Sequence, residues 1–394
     1  MNILGIMGSI GYDGNIPYHV GDIGDFWSHG SGATLIMDGK LKTAINEERF
    51  SRIKYDGQYP KLAIQHILDH NNLTKHDIDL VVFVTSGTFI AFELKRSGYI
   101  KSKLQEYFPN STVEYVSHHM AHTAATFFTS GFDEANILSF DGAGDPELQT
   151  NGRWLTPHMK FTQGKGGVLT EVFSRHCLEP LMPTGFGILY DIYSHQVYKN
   201  KMIQLNKDSY RFEKNEKNLD PRNRETYPGK VMGLSAYGDY KKIDLPEWFT
   251  IEKGRQKYSN NEWEDCVPNL INNLIPNIPS EEYVHLDPDD LAAWLQHQFE
   301  KYLLLFLSNI PKNIKLDNLC LGGGSALNIL TNSKILEQGI YKNVHVNTAP
   351  NDDGLHFGAA LYKSIEKEQK LILPEDIGYL GITYTDEEIE AVLK

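Results

Sequence analysis

Two stretches of the chain share one pattern, Asn2-Ile3-Leu4-Gly5-Ile6-Met7-Gly8 and Asn136-Ile137-Leu138-Ser139-Phe140-Asp141-Gly142-Ala143-Gly144. Each has the pattern of a buried strand that ends in glycines, and each is followed by hairpin-like strands, at 33–45 and 154–173. A strand, a glycine turn and a hairpin used twice predict two similar α/β lobes. A chance similarity over so short a stretch is the alternative.

A histidine motif, Ser117-His118-His119-Met120-Ala121-His122, precedes the second of these stretches. If the small and apolar residues after His118 form a helix, His118 and His122 stand at i and i+4 on one face, where two imidazoles can hold one metal ion. Asp141, at the end of the repeated strand, offers a hard third ligand. The alternative is that one histidine caps the helix and the other packs in the core.

The composition bounds the class of protein. The chain has 394 residues, 41% of them hydrophobic, which is ample for a core in two domains or one large bilobal domain. A formal net charge of -13 makes nucleic acid an unlikely partner. The cysteines Cys177, Cys266 and Cys320 form no C-x-x-C pair. With no basic leader and no apolar run long enough to cross a bilayer, we expect a cytoplasmic protein without a membrane span.

Three further stretches have the composition of ligand-binding turns. The strand Asn318–Leu321 runs into the glycine loop Gly322–Asn328 and then a helix, an arrangement that binds anions, although a tight turn without a ligand is the alternative. Asp352 and Asp353 begin a small-residue helix, as hard ligands or as a cap. The charged run Glu47–Lys54 is either a solvated turn or a phosphate clamp.

These motifs resemble a known family. The glycine loops in two similar lobes resemble the actin-like ATPase superfamily, which implies an α/β fold of two lobes, each a mixed sheet flanked by helices. Within it, six motifs in order resemble the O-carbamoyltransferases of the NodU/CmcH type, with a Kae1-like domain. The six are Glu47–Lys54, His118–His122, Phe140–Gly142, Lys230–Gly238, Gly322–Asn328 and Asp352–Gly354. The resemblance implies lobe I at 1–132, lobe II at 133–365, and at 366–394 a linker and the start of a C-terminal YrdC-like domain.

The resemblance also implies a reaction in two steps. Carbamoyl phosphate and ATP give carbamoyl adenylate, and the carbamoyl group then passes to a hydroxyl of a small-molecule acceptor. By the same resemblance, His118, His122, Asp141 and Asp352 hold a metal of the iron type, Fe²⁺ or else Zn²⁺ or Mn²⁺, and Mg²⁺ accompanies ATP. Because the YrdC-like domain makes the adenylate, we expect weak or no turnover by this chain alone. Three explanations stay open: a truncated chain, a split gene with a separate YrdC-like chain as partner, or supply of the activated carbamoyl group by another enzyme.

Further roles follow from the resemblance. Arg52 and Lys54 are expected to bind phosphate, and His119 to donate to substrate. His29 stands where the family has a histidine followed by an acid, but the acid is missing here, which leaves an acceptor role for His29 open. The residues expected to bind the nucleotide are Gly142, Ala143, Gly144, Lys230, Gly233, Gly322, Gly323, Gly324, Asn328 and Asp353.

Three other functions fit parts of the pattern. Transfer of threonylcarbamoyl to tRNA uses a similar histidine helix, and tRNA binding in a shift assay would favour it. A sugar kinase of the same fold has no use for His118 and His122, so phosphorylation that survives their mutation would favour that enzyme. A nucleotide-gated binding protein would bind nucleotide without metal and transfer no group. The acceptor and the oligomeric state stay open.

Overall fold

The structure is a computed structural model, which describes residues 1–10, 29–85, 87, 89–148, 152, 154–176, 185–205, 227–251, 274–276, 285–381 and 384–394. Some sequence predictions lie outside these ranges. They concern Cys177, Cys266, most of the loop that follows Gly8, and most of the charged stretch between residues 200 and 230.

Two five-stranded mixed sheets organise the described chain. The strands of the first are β1 (Asn2–Met7), β2 (Gly32–Met37), β3 (Lys40–Asn46), β4 (Leu80–Phe83) and β5 (Thr112–Tyr115). Those of the second are β6 (Glu134–Phe140), β9 (Pro157–Lys165), β10 (Val168–His176), β13 (Asn318–Gly322) and β14 (Asn343–Val346). Two small pairs are β7 (Glu147–Leu148) with β8 (Trp154–Leu155), and β11 (Phe249–Ile251) with β12 (Leu274–Pro276).

The two large sheets have the same topology. Their orders are β3-β2-β1-β4-β5 and β10-β9-β6-β13-β14, so the first strand of each lobe is central. In each sheet that strand pairs antiparallel with the hairpin on one side and parallel with the crossover strand on the other. The repeated pattern at residues 2 and 136 therefore builds equivalent central strands. The predicted fold, two duplicated mixed sheets flanked by helices, is confirmed.

The longest described helix has a capped start. Asp287 caps α8 by accepting from the backbone N–H groups of Asp289 and Asp290, with Pro288 in the first turn. The described helices are α1 (Glu48–Ser51), α2 (Lys61–His70), α3 (Phe89–Arg96), α4 (Tyr99–Tyr107), α5 (His118–Phe128), α6 (Phe186–Leu205), α7 (Tyr227–Leu234), α8 (Pro288–Ser308), α9 (Ile329–Glu337), α10 (Leu355–Glu366) and α11 (Asp386–Leu393).

Two helices between the sheets position the site. Ala121 and Ala125 of α5 share a core with strand residues of the first sheet, while Phe127 at the other end of α5 packs on residues of the second. Helix α10 packs closely on α5, because a Cβ added at Gly358 would lie 1.9 Å from the carbonyl oxygen of Ala121. The start of α5 and the turn before α10 are therefore held side by side.

The second lobe has its own core around α8. Leu291, Leu295 and Phe299 of this helix are buried against Phe186 of α6 and strand residues of the second sheet. Burial of each such side chain contributes about 1.5–3 kcal/mol, so this helix is a large part of the stability of the lobe.

The C-terminal segment returns to the first sheet. The N–H of Ile372 donates to the carbonyl oxygen of Gly39 at 2.8 Å, and the N–H of Leu41 donates to that of Ile372 at 3.0 Å. This segment therefore covers the outer edge of β3. The domain boundaries at 132/133 and 365/366 stay a prediction. None of the helices in the described ranges is long and apolar enough to cross a membrane.

Candidate functional site

His118 and His122 lie on one face of α5, as the i and i+4 spacing predicts. Both side chains are buried, and their Nε2 atoms are 3.1 Å apart. Nδ1 of His118 lies 3.0 Å from the carbonyl oxygen of Thr85. Because a carbonyl only accepts, this nitrogen donates, and the lone pair of the neutral ring is left on Nε2, facing His122.

Two carboxylates from distant parts of the chain complete the cluster. Oδ2 of Asp141, just after β6, is 2.9 Å from Nε2 of His122 and 3.6 Å from that of His118. Oδ1 of Asp352, in the turn before α10, is 3.3 Å and 3.5 Å from the same two nitrogens. The four potential ligand atoms all lie within 4.8 Å of one another. The predicted convergence of these four side chains is thus present in the structure.

The charges of the cluster support one another. Burial opposes a charge on His118, but the Asp352 and Asp141 carboxylates outweigh it and raise the pKa of His118 to about 10. Burial is likewise outweighed at His122, whose pKa is raised by hydrogen bonding to the same two carboxylates. In return, both imidazoles hold the pKa of Asp141 well below its usual range against the effect of burial. The two imidazoles and the Asp141 carboxylate therefore favour opposite charges on one another.

The donor set fits a divalent metal ion. With metal–ligand bonds of about 2.1 Å, neighbouring ligands of a tetrahedral or octahedral ion lie about 3.0–3.4 Å apart, close to the separations of these nitrogens and oxygens. A divalent ion would supply the positive charge that the two carboxylates favour at this place. Two imidazoles and two carboxylates suit iron, manganese or zinc.

A cavity of about 660 Å³ opens beside the cluster. Asp141 and Asp352 form part of its wall, and other parts of the wall come from α6, α7 and the loop Gly324–Asn328. Seven other residues that the sequence analysis selects line this cavity: His29, Lys54, Gly142, Ala143, Lys230, Gly324 and Asn328. Lys54 and Lys230 add two cationic groups to the wall of this cavity, which suits a phosphorylated ligand.

His29 lies at the junction of the cavity and the cluster. Its Nε2 is 3.4 Å from Oδ2 of Asp352, and about a third of its side chain is exposed. The neighbouring Gly30 has a left-handed backbone with φ of +66°, and a Cβ there would lie 2.5 Å from Oδ1 of Asp353. The chain therefore needs glycine at this position to bring His29 close to the aspartates.

His119 points away from the cavity. Its Nε2 lies 3.1 Å from the carbonyl oxygen of Pro157, and its Nδ1 lies 2.7 Å from the hydroxyl of Ser139. Burial lowers the pKa of His119 well below its ordinary value, so the ring is neutral. Both nitrogens are used inside the protein, and we assign His119 no contact with substrate in the function proposed below.

The charged run at 47–54 is mostly structural. The buried carboxylate of Glu47 accepts from the backbone N–H groups of Leu62 and Ala63, at 3.0 and 2.8 Å, and so caps α2. Arg52 is exposed at the end of α1, outside the cavity, with a left-handed backbone of φ +60°. Of the cationic residues predicted here to bind phosphate, Lys54 therefore lies in the cavity wall and Arg52 does not.

Other predicted nucleotide-binding residues are glycines that pack against neighbouring backbone or side chains. A Cβ on Gly323 would lie 2.2 Å from the carbonyl oxygen of Phe140, and one on Gly322 would lie 3.0 Å from that of His122. A Cβ on Gly144 would meet the ring of His119 at 2.5 Å. These three glycines thus allow close packing. Gly233 is exposed on α7.

Asp353 and Asn328 are engaged within the protein. Oδ2 of Asp353 accepts from Asn351 at 2.9 Å, and burial raises the pKa of Asp353. Asn328 lines the cavity, but its Oδ1 accepts from the N–H of Thr331 at 3.1 Å, which caps α9. Its Nδ2 donates to Gln296 at 2.9 Å. The amide of Asn328 therefore holds the loop in shape.

Sequence reasoning missed several residues that the fold brings to the site. His158 of β9 lies with Nδ1 2.6 Å from the carbonyl oxygen of Gly142, and burial lowers its pKa to about 4. Tyr190 and Asp191 of α6 and Ser325 line the cavity. The stretches around His158, Tyr190 and Asp191 carry no compact motif, and only the repeated strand pattern pointed to the neighbourhood of His158. Ser325, by contrast, lies in the predicted glycine loop Gly322–Asn328.

Comparison with known proteins identifies the family. The sequence model of the family described as "Carbamoyltransferase N-terminus" matches residues 21–112 and 89–361. The chain belongs to this family. The family predicted from the six motifs is thereby confirmed.

Curated relatives of the chain are longer than it is. An uncharacterized protein of Synechocystis is 27% identical, over 93% of this chain and 61% of its own length. The nodulation protein NolNO of Sinorhizobium fredii is 25% identical, over 88% of this chain and 48% of its own length. The chain thus spans about half to three-fifths of these relatives. Among solved structures, HypF of T. kodakarensis is 14% identical with a TM-score of 0.48, over 95% of this chain and 48% of HypF.

Proposed function

We propose that this chain carries out the transfer step of a metal-dependent O-carbamoyltransferase. In this step a carbamoyl group passes from carbamoyl adenylate, formed from carbamoyl phosphate and ATP, to a hydroxyl of a small-molecule acceptor. The observation that carries the proposal is the cluster of His118, His122, Asp141 and Asp352, which borders a cavity with two lysines in its wall. Membership of the carbamoyltransferase family supports the group that is transferred.

The four cluster side chains would hold the metal ion. Fe²⁺, Zn²⁺ or Mn²⁺ in this place would act as a Lewis acid that polarises the carbamoyl carbonyl or the adenylate phosphate. The two helices that carry or adjoin the ligands are packed together at Ala121 and Gly358, so the ligands are held in position before the substrate binds.

The cavity would hold the nucleotide. Backbone groups of Gly142, Ala143 and Gly324 come from two glycine turns that border the cavity, where the absence of side chains lets a phosphate approach. Lys54 and Lys230 would bind its negative charge from the cavity wall. Mg²⁺ as a companion of ATP stays a prediction.

In the transfer step, the acceptor oxygen forms a bond to the carbamoyl carbon while the bond from that carbon to the phosphate oxygen breaks. AMP leaves with the electron pair of the broken bond. The hydroxyl proton needs a base, and we assign this role to His29, which lies in the cavity wall with Asp352 beside it. The neighbouring carboxylate would stabilise the imidazolium that forms.

A two-protein assay tests the proposed function. A YrdC-like enzyme would supply carbamoyl adenylate from carbamoyl phosphate and ATP, and a panel of hydroxyl compounds would be offered with the metal-loaded chain. We expect AMP release together with a product heavier by one carbamoyl group, and loss of both with H122Q. The variant H66Q is the control, since the half-buried His66 lies on α2 between the rings of Phe50 and His70 and is not one of the cluster residues. Equal product formation by H122Q would overturn the proposal.

The same preparation discriminates the other functions. Phosphorylation of sugars that survives the double change H118Q and H122Q would favour the kinase. Specific binding of tRNA in a shift assay would favour threonylcarbamoyl transfer, and metal-independent nucleotide binding without any group transfer would favour a binding protein.

A further inference from the structure

A chain of buried contacts ends on a histidine of the metal cluster. The carbonyl oxygen of Thr85, just beyond β4, accepts from Nδ1 of His118 at 3.0 Å. The hydroxyl of the same threonine donates to Oδ1 of Asp145, and Nζ of Lys95 lies 3.3 Å from Oδ2 of Asp145. Thr85 is 1% exposed and Asp145 5% exposed. One residue thus contacts His118 through its backbone and Asp145 through its side chain.

These contacts join the two lobes behind the cluster. Thr85 follows a strand of the first sheet, and Asp145 follows the central strand of the second. Close packing next to them supports the junction, because Gly87 has φ of +76° and a Cβ there would lie 2.9 Å from the carbonyl oxygen of Ala143. The position of the Thr85 peptide therefore depends on a side chain from the other lobe.

The position of that peptide has a chemical consequence at the cluster. The Thr85 carbonyl fixes the tautomer and the ring orientation of His118, so that its Nε2 lone pair points at the other ligands. The Asp145 carboxylate also lies near a site for a cation. Its ion pair with Lys95 offsets part of the free-energy cost of burying it. Thr85 and Asp145 are not among the four potential metal ligands.

We propose that Thr85 and Asp145 are positioning residues for His118, and that this junction between the lobes sets the affinity of the cluster for a divalent cation. The inference rests on the proposed function only in taking the four-residue cluster as a cation site. It concerns binding of the metal, and holds whatever acceptor the enzyme uses.

Four variants separate this role from ordinary structural support. T85V removes the hydroxyl at nearly constant shape, and T85S keeps it. D145N removes the negative charge but keeps an oxygen that can accept from Thr85. The matched control is E147Q, because Glu147 is a half-buried carboxylate on the same segment that pairs with Lys160 at 2.7 Å and has no contact with His118 among the described residues.

The experiment titrates the metal-free full chain with Co²⁺, follows the visible absorption of the bound ion, and competes it with Zn²⁺. Removal of a group that orients a metal ligand typically weakens the metal by about 10–100-fold. We expect T85V to lose affinity in this range, with an altered Co²⁺ spectrum. D145N, which keeps the acceptor for Thr85 but lacks the negative charge, should also lose affinity, with an unaltered spectrum. T85S and E147Q should bind as the wild type does. Thermal unfolding of the metal-free proteins measures the structural effect of each change.

The outcomes distinguish this inference from the proposed function. If the wild type binds no divalent ion, both fall. If the wild type binds and T85V and D145N bind equally tightly, the positioning role alone is overturned. The same conclusion follows if E147Q loses as much affinity as D145N, or if T85S fails to restore what T85V loses.

Discussion

Nε2 of His122 lies between two carboxylates that are far apart in sequence, 2.9 Å from Asp141 Oδ2 and 3.3 Å from Asp352 Oδ1. The helix that carries the histidine contacts both sheets. Asp141 follows β6, and Asp352 lies in the turn before α10. The site therefore exists only where the two lobes meet.

Replacement of one carboxylate should weaken metal binding without unfolding the protein. D352N keeps the size of the side chain but removes one of the two negative charges that balance a divalent ion. We expect the affinity for Zn²⁺ to fall by about 10-fold or more. Metal content after dialysis against a buffered Zn²⁺ concentration measures the effect. H66Q, on α2, should keep full metal content. If D352N also keeps full metal content, Asp352 is not a ligand of the metal.

The charged run 47–54 should divide into a structural and a ligand-binding part. E47A deletes the carboxylate that caps α2, and we expect a loss of about 2 kcal/mol in the free energy of unfolding. K54M, in the cavity wall, should leave stability nearly unchanged and weaken ATP binding instead. Urea unfolding and nucleotide titration of both variants check this division. The reverse pattern would show that the capping carboxylate has been assigned the wrong role.

Two glycines of the predicted nucleotide loops should respond differently to alanine. Gly323 has φ of +92°, and its added Cβ would lie 2.2 Å from the carbonyl oxygen of Phe140. We expect G323A to lower the unfolding free energy by more than about 1 kcal/mol, from strain and from movement of β6. G142A is the matched control, because a Cβ on Gly142 meets no described atom within 4 Å. Similar thermal midpoints for the two variants would refute this prediction.

The stability of the protein should fall with acid partly through His356, a helix residue that contacts the first sheet. Burial lowers the pKa of this histidine to about 3, and Nδ1 lies 2.7 Å from the hydroxyl of Thr34. The unfolded chain, with its ordinary pKa near 6.5, binds the proton more readily, so the contribution of His356 is complete above about pH 6.5 and is lost as the pH falls toward 3.

Measurement of that contribution needs one variant. Between about pH 6 and pH 4, the unfolding free energy of the wild type should fall by about 1.4 kcal/mol per pH unit more than that of H356Q, which cannot take up the proton. Urea unfolding at several pH values gives both slopes. If the unfolding free energies of the wild type and H356Q fall equally with pH, His356 takes up its proton in the folded protein as readily as in the unfolded chain, and the prediction is wrong.

Much of the fold was open to prediction because short-range patterns determine it. The glycine-ended strands and the i, i+4 spacing of His118 and His122 depend on neighbouring residues, and the structure confirms them. The duplication of the strand pattern predicted two equivalent sheets, since equal local sequences favour equal local structure.

The roles of particular side chains were harder to infer, because a residue type does not reveal its neighbours. Glu47 and Lys54 look alike in a charged run, yet one is a buried helix cap and the other lines a cavity. His119 stands between two cluster histidines in sequence, but the turn of the helix directs it toward Ser139 and Pro157. His158 joins the site only through the pairing of β9 with β6.

The sequence alone thus determined the central strands, their duplication and the face on which two histidines meet, since these follow from spacing along the backbone. Only the tertiary structure decided that Asp141 and Asp352, 211 positions apart in the chain, approach the same two nitrogens. It also decided which cationic groups border the cavity. Such approaches depend on how α5 and α10 pack between the sheets, and that packing is the sum of many long-range contacts that no local pattern contains.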